Sequence, residues 1–457
     1  MPAGPYGWLP FGHIYQLLNA TAWNLLSEWV LQQPPLVKVN VLQRKMVLVG
    51  TPQGMKEVYQ TKFRLFHKDT DFSFAPYLPI LGTGLVTARG EQWQKQRLLM
   101  APTLRVDILD SVIRLTHEAV ERLSVKLEAA KASRQPIEME EEFRLLTLQI
   151  IGGAVLSLPP DECDRVFPQL YLPVMAEGYK RSLQPWRMYI PTQTWFQHRS
   201  RINQLNAYVK GRLRERWSAR QEGKREGEHK DIVDLLMAAT EAQGESWSSG
   251  LEDQLCYEVK TLLLAGHETS AALLTWTLHE LCENPDSLGK VQQEAKEMLA
   301  TANAKGLPQK EAVEGMQYTL CALKESLRKY SVVPVVTRRV EQDTTLCGMQ
   351  IPVGAYLAIL IQAVHQSWQK HDQWRPERFL PGDEFDQFPD DIRPYMFVPF
   401  GQGPRNCIGQ YFSLLEARLV MGMLWTRFKF QRHGAPPQRN ETVIPTGTAD
   451  GLYMMIS

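Results

Sequence analysis

Phe400-Gly401-Gln402-Gly403-Pro404-Arg405-Asn406-Cys407-Ile408-Gly409 is the stretch on which the reading of this chain turns. Its glycines and proline make a loop whose backbone can come close to a flat ligand. Helical periodicity follows from Tyr411 to Phe428, so Cys407 stands just ahead of a helix N-terminus, with Arg405 two residues before it. Both features lower a thiol's pKa and place Cys407 to act as a thiolate. A thiolate is a strong metal ligand, and one Cys supplying one axial bond is the arrangement of a haem-thiolate centre. By itself the segment is equally consistent with a buried apolar cysteine in a Gly-rich turn.

Upstream, a long helix is expected from the capping box Ser249-Gly250-Leu251-Glu252 to about Cys282, stopping before Asn284-Pro285. Leu255, Val259, Leu262, Gly266, Ser270, Leu273, Thr277 and Leu281 recur at three- and four-residue steps. The segment Ala265-Gly266-His267-Glu268-Thr269-Ser270 interrupts this apolar pattern with polar groups. Close helix packing at the Gly and back-bonding of the Thr to its own helix would explain it structurally; a functional role would explain it as well. Glu325 and Arg328 lie three apart on one helix face, close enough to pair, and Arg378 can bring a second cation to the same carboxylate. Trp93 and Arg97 are four apart on another helix.

The whole chain agrees with a folded, soluble-type composition. It has 457 residues, 51 Lys+Arg against 50 Asp+Glu, 44% hydrophobic and 22% charged residues. That excludes a disordered chain and a nucleic-acid binder held by bulk positive charge. The cysteines Cys163, Cys256, Cys282, Cys321, Cys347 and Cys407 form no C-x-x-C pair, which argues against a structural zinc site and for reduced thiols in a cytosol-facing compartment. No apolar run reaches 18 residues, and Met1 to Pro10 reads as a stiff Pro/Gly opening to a folded domain rather than a signal peptide. Leu36–Val41 and Lys45–Gly50 read as paired strands, Thr344–Pro352 as a hairpin turning near Gly348, and Trp93 to residue 330 as mostly helix. Arg220 to Asp231 reads as a solvated loop.

These segments together resemble the cytochrome P450 family of haem-thiolate monooxygenases. The family's haem loop, F-x-x-G-x-R-x-C-x-G, is met at Phe400, Gly403, Arg405, Cys407 and Gly409. Its distal-helix motif, A-G-x-[DE]-T-[TS], is met at Ala265, Gly266, Glu268, Thr269 and Ser270. E-x-x-R appears as Glu325 and Arg328, the Arg of P-E-R-F as Arg378, and W-x-x-x-R as Trp93 and Arg97. Five motifs in family order, across most of the chain, make the resemblance specific.

The resemblance implies a mainly α fold with a small β lobe, residues 1–457 forming one catalytic domain without an N-terminal membrane anchor. It implies haem b, with Cys407 as the iron ligand. Trp93, Arg97, Arg405 and Arg338, the last four residues after Pro334, are expected at the propionates; Glu325, Arg328 and Arg378 are expected to be structural. Cleaving O2 needs protons, and Thr269 with Glu268 is expected to deliver them, while Gly266 lets the backbone come near the oxygen. His365 is expected in a solvated loop and is set aside. The expected reaction is hydroxylation or epoxidation of a lipophilic small molecule such as a fatty acid, sterol or carotenoid. Electrons would come from a separate NADPH-dependent reductase or ferredoxin, with peripheral contact to an endoplasmic-reticulum or organelle membrane. The alternatives are a P450-type isomerase, dehydratase or desaturase and, in another class, a non-catalytic haem sensor or carrier.

Overall fold

The structure, a computed structural model, describes residues 4–5, 7, 11–18, 22–41, 44–104, 108–223, 231–441 and 443–457. Its longer helices are α1 (Ala22–Gln32), α2 (Gly90–Pro102), α3 (Leu109–Ser133), α4 (Met139–Leu156), α5 (Leu172–Leu183) and α6 (Gln193–Gln221). They continue with α7 (Ile232–Ala242), α8 (Ser249–Glu283), α9 (Pro285–Leu299), α10 (Gln317–Tyr330) and α11 (Gln410–Arg427). The strands are β1 (Leu36–Val41), β2 (Arg44–Val49), β3 (Phe66–His67), β4 (Ile137–Glu138), β5 (Val335–Val340), β6 (Thr344–Leu346), β7 (Met349–Ile351), β8 (Tyr356–Leu360), β9 (Phe430–Arg432) and β10 (Tyr453–Ile456).

The strands form a five-stranded sheet in the order β1-β2-β8-β5-β3, a β4-β10-β9 sheet and the β6-β7 hairpin. β1 and β2 pair antiparallel from Leu36 opposite Val49 to Val41 opposite Arg44, where the alternating sequences placed them. β8 lies parallel to β2 and antiparallel to β5, buried on both faces as its all-apolar sequence requires. The mainly α fold with a small β lobe is thus observed.

α8 is the helix around which the others pack. Its N-cap is Ser248, whose side chain accepts from the Leu251 N–H at 3.2 Å, one residue before the expected Ser249. Glu252, instead of closing a capping box, pairs with Arg214 of α6. The helix ends where Asn284 Nδ2 donates to Glu280 O at 2.7 Å and Pro285 opens α9. α4 lies along it: a Cβ on Gly266 would meet Ile151 at 2.7 Å, and Thr147 Oγ1 donates to His267 O at 2.9 Å.

The expected solvated loop from Arg220 to Asp231 is corrected at both ends; residues 224–230 lie outside the described residues. Arg220 belongs to α6 and pairs with Glu241, while Asp231 is buried, caps α7 and pairs with Arg216. An acid at an N-cap is recruited by the free N–H groups of the first turn, so a charged stretch can end in a buried anchor.

Candidate active site

The loop before α11 is held shut by Cys407 N, which donates to Phe400 O at 2.8 Å. Gly403 has φ +70°, and a Cβ there would fall 2.0 Å from Tyr59 O, so only glycine fits this close approach. Cys407 faces a cavity of about 350 Å³. Phe400, Arg405, Ile408 and Gly409 line it from the loop, and Ala265, Gly266, Thr269 and Ser270 line it from α8. The backbone N–H groups of Gly409 and Gln410 and the charge of Arg97 do favour a thiolate, as the sequence suggests. Although Cys407 is open to the cavity, desolvation by the protein packed around it outweighs them and pushes the thiol up from its ordinary value. A coordinating metal cation is what removes such a proton.

One end of the cavity gathers cations. Arg405 lies over the Trp93 ring, 4.2 Å from its centroid, and donates to Ala88 O at 2.8 Å. Trp93, which itself lines the cavity, also supports Arg405. Arg97, one turn on in α2, donates to the carbonyl and side-chain oxygens of Asn406. Arg338, on β5, is buried and donates to Thr337 O at 2.8 Å. Lys68 and Tyr59, which no motif marked, complete this end.

The electrostatics of this end suit an anionic ligand group. Burial and the charges of Arg338, Arg89 and Arg97 push the Arg405 guanidinium down to about 9. Burial, then Arg338 and Arg405, push Lys68 well below its ordinary value. Burial raises the Tyr59 hydroxyl to about 12, and that hydroxyl has no protein partner. Like charges crowded with an orphaned donor fit a dianionic ligand group, and the remaining walls are mostly apolar, with Leu262, Leu273, Val332 and Val336 beside the hydroxyls of α8. A flat apolar macrocycle with two carboxylates and a central metal over Cys407 satisfies all three surfaces.

On α8 the expected polar break is in composition only; the helix is continuous through residues 265–270. Thr269 Oγ1 donates to Ala265 O at 2.6 Å, which satisfies the hydroxyl within the helix. Gly266 both lines the cavity and admits Ile151 from α4. Glu268 differs from expectation, for it is not among the cavity-lining residues. It accepts a hydrogen bond from Tyr179 of α5, with His267 Nε2 at 3.6 Å. Burial alone would raise its carboxyl; His267, Tyr179 and Arg144 together more than offset that and hold it below the usual carboxylate range. Beside Ser270, Glu416 of α11 is buried, and burial pushes its carboxyl well up, only partly offset by the Ser270 hydroxyl. Its sequence signal is a lone acid in the apolar run Leu414-Leu415-Glu416-Ala417.

The Glu325 cluster lies outside the cavity. Glu325 takes two bonds from Arg328, both 2.8 Å, one from Arg378 at 3.2 Å and one from Arg375 N at 2.9 Å. Arg328 also donates to His365 O, His371 O and Gln373 O, and Arg378 to Lys370 O and Glu384. The cluster clasps chain 365–384 behind the loop. His365 is corrected: it is fully buried, its Nε2 accepts from Val398 N at 3.2 Å, and Nδ1 meets Ser331 Oγ at 2.9 Å.

Fold and site together define a mainly helical haem-thiolate enzyme. The family model "Cytochrome P450" matches residues 2–452, and the chain belongs to the cytochrome P450 family. It is a monooxygenase that binds haem b. It is 29% identical to the Arabidopsis thaliana protein "LUTEIN DEFICIENT 5, chloroplastic", over 98% of this chain and 76% of that one. It is 25% identical to the human "Ultra-long-chain fatty acid omega-hydroxylase", over 90% of this chain and 79% of that one. A solved cytochrome P450DA heme domain superposes with a TM-score of 0.84 at 22% identity, covering 100% of this chain and 97% of the other.

Proposed function

We propose that this P450 hydroxylates or epoxidises a long lipophilic molecule, of the fatty-acid, sterol or carotenoid class, with electrons from a separate reductase or ferredoxin. The observation that carries this reading is the cavity itself: cations gathered at one end, Cys407 at the loop, and mostly apolar wall elsewhere. Relatives named for lutein and for an ultra-long-chain fatty acid support the substrate class.

When bound, haem supplies O2 reduction and oxygen transfer. Cys407 is its iron ligand; Arg97, Arg338 and Arg405, with Lys68 and Tyr59, hold its propionates. Trp93 keeps the Arg405 guanidinium flat against its ring. Phe400 and Gly409 shape the loop, while Ala265 and Gly266 let α8 run close to the macrocycle. Thr269 turns its hydroxyl between Ala265 O and the cavity and hands protons inward; Glu268, beside the wall and ionised while it accepts from Tyr179, feeds that relay once it leaves Tyr179 and takes up a proton. Glu325, Arg328 and Arg378 are structural.

Residues 1–457 act as one catalytic unit. No single helix among the described residues is long and apolar enough to cross a membrane. Leu183, Trp186, Tyr189, Ile190 and Phe196 stand exposed between α5 and the start of α6, and they suit peripheral contact with an endoplasmic-reticulum or organelle membrane on its cytosolic or stromal face. The test is a screen of fatty acids, sterols and carotenoids for shifts of the haem absorption band, followed by mass spectrometry of turnover products. A product heavier by one oxygen supports the reading; conversion without that gain favours an isomerase, dehydratase or desaturase.

A further inference from the structure

A second cavity of about 350 Å³ opens between α2, α7 and the start of α8, lined by Gln96, Leu99, Met100, Leu236, Gln254 and Glu258 among others. It stands back to back with the haem cavity. Met100 lines both, and Thr261, three residues after Glu258 on α8, lines the haem cavity. Between them lies the Gly84–Leu85 peptide: Glu258 Oε2 accepts from Leu85 N at 2.9 Å, and a Cβ on Gly84 would sit 2.3 Å from Thr261 Oγ1.

This wall is polar where an apolar partition would be cheaper. Glu258 is 3% exposed, and Gln254 Nε2 donates to its Oε1 at 2.7 Å. Gln96 gives its Nε2–H to Thr83 O at 2.9 Å, which leaves its buried Oε1 without a protein partner. The Thr261 hydroxyl is buried and has no partner among the described residues either. The charged groups across the cavity, Lys95 of α2 and Glu245 beyond α7, are paired with each other, so neither neutralises Glu258. Burial pushes the Glu258 carboxyl up to about 7, only partly offset by the Leu85 N–H and Gln254. Buried hydrogen-bonding groups without partners are normally met by water.

We propose that this second cavity is a water inlet and that Glu258, through the Thr261 hydroxyl, passes protons from it into the haem cavity. A hydronium ion in the inlet gives its proton to a Glu258 oxygen and becomes water. Glu258 then releases that proton to a water from the inlet, which passes one of its own hydrogens on to the unpartnered Thr261 Oγ1 while the hydroxyl's hydrogen leaves toward the haem cavity. Rotation of the hydroxyl resets the path, and no electron moves. Such a supply suits a site whose other acid, Glu268, is held ionised behind the wall. The inference rests on the first cavity being the haem site.

The experiment uses the haem-loaded enzyme. Infrared difference spectra across a pH titration should show a protonated-carboxyl band disappearing near pH 7. The band should be absent in Glu258→Gln, which keeps the acceptor for Leu85 N–H but cannot carry a proton, and present in Thr261→Val. Oxygen consumption with a surrogate ferredoxin and its reductase should fall in the wild type as pH rises through that range. Below it, both variants should be slower by about ten-fold, with flat profiles. A Glu258→Gln enzyme with the wild-type rate and pH profile overturns the proposal, as does a missing infrared band. If Glu258→Gln takes up no haem, Thr261→Val decides: a wild-type profile there overturns it too. The reduced CO spectrum reports the haem assignment separately on the same samples.

Discussion

At the scale of single residues, the cations of the site carry the clearest expectation. Arg338 is buried, its charge bears on Lys68 and Arg405, and among the described residues it donates to one backbone carbonyl. With a propionate it gains a charge-assisted bond of about 1.5–3 kcal/mol. Arg338→Leu should therefore speed haem loss to a scavenger protein by roughly 10- to 100-fold. An unchanged rate would mean that Arg338 serves the sheet, not the cofactor. His365 offers a second test. Burial, with Arg328 nearby, pushes its imidazole down from 6.5 to about 3. Between those values the unfolded chain holds the extra proton and the folded one does not. Stability is thus full above about 6.5 and is lost as the pH falls toward 3, by about 1.4 kcal/mol per unit. His365→Asn should show a shallower fall in melting temperature over that acid range than the wild type. Equal slopes would remove His365 from the account.

At the scale of elements, α8 sets the geometry. Ser248→Ala should cost about 1 kcal/mol, since it deletes the bond to Leu251 N, whereas Ser249→Ala should cost little; chemical denaturation separates them. Thr269→Ala keeps the helix, because Ala is the better helix former. Haem content and ligand binding should stay near wild type, while product per NADPH falls and peroxide rises. An unchanged ratio would make Thr269 a packing residue. The sequence could have warned about Glu268, for successive helix residues point about 100° apart. With Leu262, Ala265, Gly266, Thr269, Ser270 and Leu273 on the cavity, Glu268 falls well off the centre of that face and meets a neighbour, here Tyr179. The one-residue error at the cap has a similar origin: Ser249 reads as the cap because Glu252 stands three residues on, and only the backbone shows that the Ser248 hydroxyl is the one that reaches an N–H. Lys68 and Tyr59 belong to no periodic pattern and enter the site only through tertiary packing, so nothing local marks them.

At the scale of the whole molecule, the Glu325 cluster ties the helical core to the Pro-rich chain that carries the haem loop. Glu325, Arg328 and Arg378 are all almost completely buried. Arg328→Ala would strand Glu325 on Arg378 and free three backbone carbonyls, a loss of about 3–5 kcal/mol. Little folded, haem-poor protein is expected; normal haem content with slower turnover would instead make Arg328 part of the chemistry. The fold class was legible because motifs whose chemistry depends on residue type kept their order along the chain. Orientation was less so, since burial and facing are decided by contacts between distant segments. The measurement that bears most directly on the central claim is the absorption spectrum of the reduced CO complex of Cys407→Ala. The expected result is loss of the thiolate-type band while Cys163→Ala and Cys347→Ala keep it. A thiolate-type band that survives in Cys407→Ala would contradict the assignment of Cys407 as the haem ligand.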